Sequence, residues 1–508
     1  MYAELMLKTW LGEHTLQAST LKNTPAFYRN LEQALDVHRA DHGLMTTKPR
    51  WDDSVIDWTT SDFLSLNRSG RIREAFKEEL ERQGSFLLSA AGSRVQYGNY
   101  DYLLEVEREV AAFHGAETAW IAHSGFFANV GIMESVPLPG DAIVYDELVH
   151  ASTHLGMKLS AAAHKISFQH NDPDSLRDVL TSLRDTYPAF RSGSQSILIC
   201  VESIYSMNGD ICPLKECVEV VRELFPLGNA QFVIDEAHST GVLGPKGAGL
   251  VQMLGLEKEI AIRVHMCSKA LASTGGELPT ASSLPAAKGQ RLLNPDPRSD
   301  PLQQDHTTRA CKPVICLDLQ RWTLSTDGRI YSSWLWNTGW WRDAEGTEIP
   351  RSCRLEQNAK HHSCRQQAQE SIQAIVKYFF QTLTSNPIWE EALDAGLLSC
   401  PLAEDWELRP CLSHIVPIRT RPRHEQYLFF HLSLANMNAY NISYPTVPKG
   451  SSRVRMIFHA HNTKDEVNAA VAAICDWASE MLDIENGASE NVLPKAARQV
   501  YAMQAALS

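Results

Sequence analysis

The chain of 508 residues lacks any apolar run close to the roughly 18 residues that a membrane-spanning helix requires. It also lacks an excess of basic residues, because 47 Lys and Arg stand against 60 Asp and Glu and give a net charge of −13. This acidic balance argues against a nucleic-acid partner. The first ten residues lack the basic start and apolar core of a signal peptide, so we expect a cytoplasmic location, with the peroxisome left open.

The eleven cysteines lack the spacing of a disulfide framework, so we interpret them as reduced thiols in an intracellular protein. No metal site is expected, because His361, His362 and Cys364 have no partner pair of ligands. Residues 235–238 spell Asp-Glu-Ala-His, which is also a helicase signature. A helicase needs in addition a phosphate-binding loop with a Gly-Lys pair, and the chain contains no such pair.

Short apolar runs alternate with helical patterns in the first half of the chain. Tyr102 to His114 has apolar residues at helical spacing, and a second helix is predicted over Leu214–Leu224. Four apolar runs read as buried strands: Ala119–Ala122, Ala142–Tyr145, Ile197–Val201 and Phe232–Ile234. Apolar strands that alternate with helices predict an α/β fold, in which a mostly parallel sheet lies between helices.

The C-terminal part predicts a smaller α+β domain. A helix is predicted over Glu370–Leu383, with short strands at Ile415–Ile418 and Val454–Phe458. Residues 463–466 have the capping-box pattern that opens a further helix. The predicted domains are an N-terminal segment (1–60), a large domain (61–276), an anomalous stretch (277–363) and a linker helix with the small domain (364–508).

The stretch 277–363 fits neither domain. Its periodicity disappears, and five tryptophans fall within the 20 residues from Trp322 to Trp341. A structureless span of this length is unusual inside a compact domain. It is either a surface insertion or a segment outside the original coding frame, and we favour the second interpretation.

Lys269 lies in a stretch of small residues, Cys267-Ser268-Lys269-Ala270-Leu271-Ala272-Ser273-Thr274-Gly275-Gly276. A buried lysine loses its proton easily, because desolvation disfavours the ammonium form. The neutral amine can react with an aldehyde such as that of pyridoxal phosphate. The alternative is an ordinary solvated lysine in a surface loop.

Polar residues follow each of the four predicted strands, where ligands bind in an open parallel sheet. Ser124-Gly125-Phe126 opens a helix and could hold a phosphate on free backbone N–H groups. Asp235 could keep a pyridine nitrogen protonated. His150 could stack on the ring, and His238 could reach its phenolic oxygen. Taken singly, His150 could instead be a core histidine, and Ser124-Gly125 a simple turn.

Seven stretches together resemble the α-oxoamine synthase family within the fold-type I aminotransferase superfamily. These stretches are Gly92–Glu107, Ser124–Asn129, Asp146–Ser152, Glu202–Asp210, Asp235–Gly241, Ser268–Gly276 and Tyr444–Ala460. The resemblance implies a homodimer with its active site at the subunit interface. It assigns Lys269 to covalent binding of pyridoxal 5′-phosphate, Asp235 to the pyridine nitrogen, His150 to ring stacking and His238 to the ring oxygen. It also places Glu202 and Ser206 in the same cleft.

The implied reaction is a decarboxylating condensation of an amino acid (alanine, glycine or serine) with an acyl-CoA. The chain resembles most the branch that makes 8-amino-7-oxononanoate for biotin, or a secondary-metabolite relative. The alternatives are an aminotransferase and a homologue that binds the cofactor with impaired catalysis.

Three positions refine what the resemblance implies. Arg455 matches the family's anchor for the substrate carboxylate, a task that suits its bidentate guanidinium. Arg453 lies nearer the loop and is expected to face away. The family usually has Thr or Ser three residues before the lysine, where the hydroxyl holds the phosphate. This chain has Met266 there, which donates no hydrogen bond and is a weak acceptor.

Overall fold

The computed structural model describes residues 2–17, 24–40, 54–83, 92–94, 96–273, 351–444 and 446–507, together with four short strands between residues 276 and 331. The chain divides into two compact units. The first contains Met1–Thr60, Met207–Gly209 and Gln373–Ser508, and the second contains Ser61–Ser206 and Asp210–Ile372. The domain boundaries drawn from the sequence stay predictions.

The strands are numbered here in chain order. They are β1 (Ile56–Asp57), β2 (Thr118–Ala122), β3 (Ala142–Asp146), β4 (His164–Phe168), β5 (Ile197–Glu202), β6 (Ala230–Asp235), β7 (Ile260–Val264), β8 (Gly276–Leu278), β9 (Val314–Asp318), β10 (Thr323–Leu324), β11 (Ile330–Tyr331), β12 (Leu398–Ser399), β13 (Ile415–Thr420), β14 (Met437–Asn438), β15 (Tyr440–Ile442) and β16 (Arg453–Ile457).

The helices are numbered in the same way. They are α1 (Tyr2–Glu13), α2 (Ala26–Ala40), α3 (Arg71–Gln83), α4 (Asp101–Phe113), α5 (Gly125–Ser135), α6 (Ala151–Leu159), α7 (Pro173–Thr186), α8 (Pro188–Arg191), α9 (Leu214–Leu224), α10 (Leu250–Leu254), α11 (Arg351–Thr384), α12 (Pro387–Asp394), α13 (His424–Leu434), α14 (Lys464–Glu485) and α15 (Lys495–Leu507).

The second unit is built on an eight-stranded sheet of order β2-β8-β9-β7-β6-β5-β3-β4. Every pair in it is parallel except those made by β8. All six residues of β5 are buried, as expected for a strand covered on both faces. The α/β class predicted from the sequence is therefore confirmed.

Helices cover both faces of this sheet. Along β2, Ala119 and Ile121 pack in one hydrophobic cluster with α4 residues such as Val106 and Val110. The residues between them, Trp120 and Ala122, pack against a second cluster that contains residues of α5 and α6. Successive strand residues point to opposite faces, so the two clusters lie on the two sides of the sheet.

The elements predicted in this unit are found at the expected places. The four apolar runs correspond to β2, β3, β5 and β6, and the two helices correspond to α4 and α9. The helix α9 has the predicted bounds, because its apolar residues Leu214, Val218 and Val221 repeat at helical spacing and are buried.

The stretch 277–363 contributes backbone to this sheet, since β8 and β9 pair with β2 and β9 also pairs with β7. Most of the stretch lies outside the described residues. Its interpretation as an insertion or a mis-framed segment stays a prediction. The side chains of His361, His362 and Cys364, the alternative metal ligands, also lie outside the description.

The first unit contains a four-stranded antiparallel sheet of order β12-β13-β16-β15, and β1 pairs with β14. The predicted strands at Ile415–Ile418 and Val454–Phe458 correspond to β13 and β16. The predicted helix Glu370–Leu383 is the C-terminal part of the longer α11.

Helix α14 begins with the predicted capping box. The Thr463 hydroxyl accepts the Glu466 N–H at 3.2 Å, and a Glu466 carboxylate oxygen accepts the Thr463 N–H at 2.8 Å. The face expected to be apolar, which carries Val467, Val471 and Trp477, is buried. This reciprocal cap satisfies two backbone donors that the helix itself leaves unpaired.

The expectation that Arg453 faces away is wrong. Its guanidinium donates to the Met207 carbonyl at 3.2 Å, and Nη1 of Arg455 lies 4.0 Å from the Met207 sulfur. Both arginines are on β16, two residues apart, so they share a face. The alternation of side chains along β16, and not the proximity of Arg453 to the loop, therefore decides on which face the Arg453 side chain lies.

Across the described ranges, no helix combines the length and the apolar character that a membrane span would require.

Replacing Thr463 with Ala removes the cap of α14 and is expected to lower the free energy of unfolding by about 1 kcal/mol. Thr463→Ser keeps the hydroxyl and is the matched control. The free energy of unfolding of both variants of the full chain is measured by denaturant unfolding. Equal stability of the two would contradict the capping role.

Candidate active site

The carboxyl ends of the parallel strands in the second unit meet at one cavity of about 220 Å³. Asp235 is the last residue of β6, and Glu202, the last residue of β5, is its register partner. The lining residues are Ser124, Phe126, His150, Glu202, Ser206, Asp235, Ala237, His238, Met266, Ser268 and Lys269.

Lys269 lies in the turn that follows β7, and its side chain is half-buried. The Nζ atom lies 2.7 Å from Nε2 of the buried His238. In this contact one partner must supply a lone pair, so the amine and the imidazole cannot both be fully protonated. The geometry therefore favours sharing of a proton between the lysine and the histidine.

Asp235 is held in a fixed orientation at 8% exposure. Nδ2 of Asn129 donates to its Oδ2 at 2.8 Å, and the Ala237 N–H donates to its Oδ1 at 2.9 Å. A buried carboxylate needs such donors, because it has lost most of its hydration. Asp235 is therefore a fixed negative charge at the base of the cavity.

His150 caps the N-terminus of α6 with its own ring. Its Nδ1 accepts the Ser152 N–H at 3.2 Å and lies 2.7 Å from the Ser152 hydroxyl. Burial lowers the pKa of His150, and the charge of Lys269 adds to this, although Asp235 acts in the opposite direction. The ring is therefore neutral at neutral pH, with its proton on Nε2.

Glu202 is fully buried between these groups. Burial and the neighbouring Asp235 raise the pKa of Glu202 well above its ordinary value, against the opposing effects of Lys269 and a hydrogen bond from the His150 backbone N–H. Two adjacent buried carboxyl groups do not both ionise readily. Burial therefore favours the protonated form of Glu202, and this residue connects β5 to His150.

The start of α5 offers backbone N–H groups at the rim of the cavity. The Ser124 hydroxyl caps the helix by accepting the Phe127 N–H at 3.1 Å. A Cβ atom on Gly125 would overlap the Met266 thioether, so only glycine fits there without a shift of Met266. The exposed Phe126 ring lies edge-on to His150, with centroids 6.2 Å apart. A helix N-terminus of this kind is suited to a phosphate group.

These residues fit pyridoxal phosphate, because an amine, a fixed carboxylate, an imidazole at the rim and a helix N-terminus all border one cavity. The structure thus brings together the residues predicted in the large domain, and Gly125 lies between two of the lining residues. Arg455 belongs to the first unit. Within the described ranges, no group of three or more His, Cys, Asp or Glu side chains could hold a metal ion.

Sequence reasoning gave no role to Asn129 and Ser152. Asn129 is 1% exposed and links Asp235 to Ser152, whose hydroxyl lies 3.1 Å from the Asn129 amide and also contacts His150. The sequence signal for Asn129 was its single amide side chain among the apolar residues at the start of α5. A buried polar side chain needs a hydrogen-bond partner, so this amide indicates a contact with another polar group.

Two comparisons concern the sequence. The family model of aminotransferase class I and II matches residues 53–283. The chain is 44% identical to the aminoacyl transferase sphA of Aspergillus fumigatus, over 98% of this chain and 97% of that protein. It is 34% identical to the 8-amino-7-oxononanoate synthase of Emericella nidulans, over 84% of this chain and 90% of that protein.

Solved structures show the same fold. A serine palmitoyltransferase from S. paucimobilis with bound PLP matches 90% of this chain and 99% of its own, with a TM-score of 0.62 and 20% identity. An 8-amino-7-oxononanoate synthase from Francisella tularensis matches 85% of this chain and 100% of its own, with a TM-score of 0.55 and 22% identity.

Met266→Thr is expected to tighten binding of pyridoxal phosphate about tenfold, because a hydroxyl can donate to a phosphate and a thioether cannot. Met266→Leu is the control, since it keeps an apolar side chain beside Gly125. The dissociation constant is measured from the visible absorption of the bound cofactor. Threonine and leucine variants of equal affinity would contradict a phosphate subsite beside Met266.

Proposed function

The chain belongs to the α-oxoamine synthase family of pyridoxal phosphate-dependent enzymes, and we propose that it joins an amino acid to an acyl thioester with loss of carbon dioxide. The observation that carries the proposal is the amine of Lys269, 2.7 Å from His238, in a cavity whose base is the buried Asp235. Pyridoxal 5′-phosphate is the cofactor. When bound, it supplies an electron sink for the negative charge that develops at the α-carbon of the amino acid.

Different residues of the chain would carry the separate steps of this reaction. Lys269 would hold the cofactor through its aldehyde and, with its amine free, would take the α-proton of the amino acid. His238 can accept or return that proton through its contact with the lysine amine. Asp235 would keep the pyridine nitrogen protonated, because its fixed charge favours the cationic form.

Other residues orient the reacting groups. The Ser124 cap and the Gly125 N–H would hold the phosphate, and the neutral His150 ring would lie against the cofactor. Glu202 fixes His150 through its backbone N–H. Ser206 borders the same cavity and would contact the ring oxygen with His238.

The proposed reaction balances without an oxidant or reductant. The α-carbon of the amino acid forms a bond to the acyl carbon, the carbon–sulfur bond breaks, and coenzyme A leaves as the free thiol. The carboxyl group leaves as carbon dioxide, and one proton taken from solvent completes the α-oxoamine product. We propose Arg455 as the anchor of the amino acid carboxylate during these steps.

The acyl acceptor is alanine, glycine or serine in this proposal. The higher identity to the aminoacyl transferases than to the 8-amino-7-oxononanoate synthase supports a product other than the biotin precursor. We also retain the homodimer and the cytoplasmic location as proposals. An aminotransferase is the competing enzyme class, and it would release no coenzyme A.

The test incubates the purified chain and pyridoxal phosphate with alanine, glycine or serine and a series of acyl-CoA thioesters, pimeloyl-CoA included. We expect free thiol and carbon dioxide in equal amounts with one amino acid, and an α-oxoamine identified by mass spectrometry. Lys269→Ala should abolish both products and the visible band, whereas the exposed Lys258→Ala should retain them.

Two results would contradict the proposal. Formation of glutamate from a 2-oxo acid acceptor without thiol release would show an aminotransferase. Cofactor binding without any thiol release across the thioester series would show a homologue with impaired catalysis.

Arg455→Lys is expected to raise the KM for the amino acid about tenfold or more, because lysine cannot bind a carboxylate with two parallel hydrogen bonds. Arg455 is half-buried, so its guanidinium has lost part of its hydration. Arg453→Lys is the contrast variant, since Arg453 already bonds to Ser451 and Met207. Steady-state kinetics and thermal unfolding are measured together. An unchanged KM for Arg455→Lys would refute the anchor role.

A further inference from the structure

His170, which follows β4, bridges two carboxylates from different parts of the second unit. Its Nδ1 lies 2.9 Å from Oδ1 of Asp146, and its Nε2 lies 2.5 Å from Oδ2 of Asp210. The His170 side chain is 16% exposed, and Asp146 is fully buried. An imidazole can donate from both nitrogens only when it is protonated. The geometry therefore describes an imidazolium between two acceptors.

One side of the bridge leads to His150. Asp146 is the last residue of β3, and the residues 146–150 connect this strand to α6. The Asp146 carboxylate also accepts the N–H groups of Leu148 and Asn171, each at 2.8 Å. The connection that carries His150 to the cavity is thus fixed on the carboxylate that His170 contacts.

The other side of the bridge leads to Ser206. The Tyr205 N–H donates to the Asp210 carbonyl at 3.0 Å, and Ile204 pairs with Ile211, so the segment 204–211 closes on itself. Ser206 projects from this segment into the cavity lining. Asp210 is 27% exposed, and its carboxylate is bonded to His170 and Asn171. Loss of the His170 contact would therefore loosen the end of the segment.

We propose that His170 is a positioning residue that clamps the His150 connection and the Ser206 segment in one arrangement, so that both line the cofactor cavity. The inference rests on cofactor binding by this cavity and is independent of the substrate class. His170 itself does not line the cavity.

The charge of the clamp gives it a pH dependence. Burial alone lowers the pKa of His170, but its hydrogen bonds to Asp146 and Asp210 prevail and raise the pKa to about 9. A pKa raised on folding means that the clamp is complete below the unfolded value of about 6.5 and is lost as the pH rises through about 9. At pH 7.5 the histidine is still charged.

Three other titratable groups face this site. Glu147 accepts the His170 backbone N–H at 3.2 Å, and the Tyr205 ring lies edge-on to the imidazole with centroids 4.4 Å apart. The pKa of Tyr205 is raised well above its ordinary value, chiefly by burial. The pKa of Cys212 is raised too, chiefly by its hydrogen bond with Cys217. Tyr205 and Cys212 are therefore uncharged over the range in which His170 loses its proton.

The first experiment follows the histidine in the full-length chain by NMR, with 13C-labelled histidine and His170→Gln to assign the resonance. We expect a midpoint near 9, and a midpoint lower by about one unit in Asp210→Asn, which keeps an acceptor but removes the charge. A midpoint near the ordinary 6.5 would overturn the proposal.

The second experiment measures the dissociation constant of pyridoxal phosphate between pH 7 and 10. We expect His170→Gln to bind about tenfold more weakly than the wild type at pH 7.5, and the two to converge near pH 10, where the wild type has lost the charge. Asp210→Asn should converge with the wild type in the same way. His164→Gln, at the other end of β4, is the matched control and should follow the wild type throughout.

Equal affinity of His170→Gln and the wild type at pH 7.5 would refute the clamp. A difference that stays constant up to pH 10 would also refute it, because it would indicate a general structural defect. Should His170→Gln fail to fold, Asp210→Asn provides the same comparison on a half-buried loop residue.

Discussion

The buried Asp235 carboxylate is the charge around which the active site is arranged. Asn129 and the Ala237 N–H fix its orientation, and the sheet places it at the base of the cavity. A negative charge in such a position disfavours a second negative charge nearby and favours a positive one. Burial raises the pKa of Glu202 and Asp235 adds to this effect, whereas Asp235 partly offsets the effect of burial on the pKa of His150. Asp235 would also favour a protonated pyridine nitrogen in the proposed cofactor.

The parallel sheet brings residues that are distant in sequence together in one site. The register between β5 and β6 sets Glu202 beside Asp235, and the turn after β7 delivers Lys269 to His238. Each connection is fixed by side chains that do not line the cavity. Ser152 holds the His150 ring, and His170 joins the segments on either side of the cavity.

Much of this arrangement could be predicted from the sequence. Apolar runs located the strands, and the rule that ligands bind beyond the carboxyl ends of parallel strands located Asp235 and His150. Lys269 was located by the small residues that surround it. What could not be predicted depends on contacts between distant residues. Asn129 and Asp235 are 106 residues apart, and His170 lies 24 and 40 residues from its two carboxylates. The prediction for Arg453 was wrong for a local reason, because side chains two apart on β16 share a face.

The most direct measurement traps the cofactor on the protein. Wild-type chain incubated with pyridoxal phosphate is reduced with borohydride, digested and mapped by mass spectrometry. The geometry predicts one phosphopyridoxyl group, on the peptide that contains Lys269, at stoichiometric yield. Label spread over several exposed lysines, or a modified site elsewhere, would contradict the assignment of Lys269 as the cofactor-binding amine.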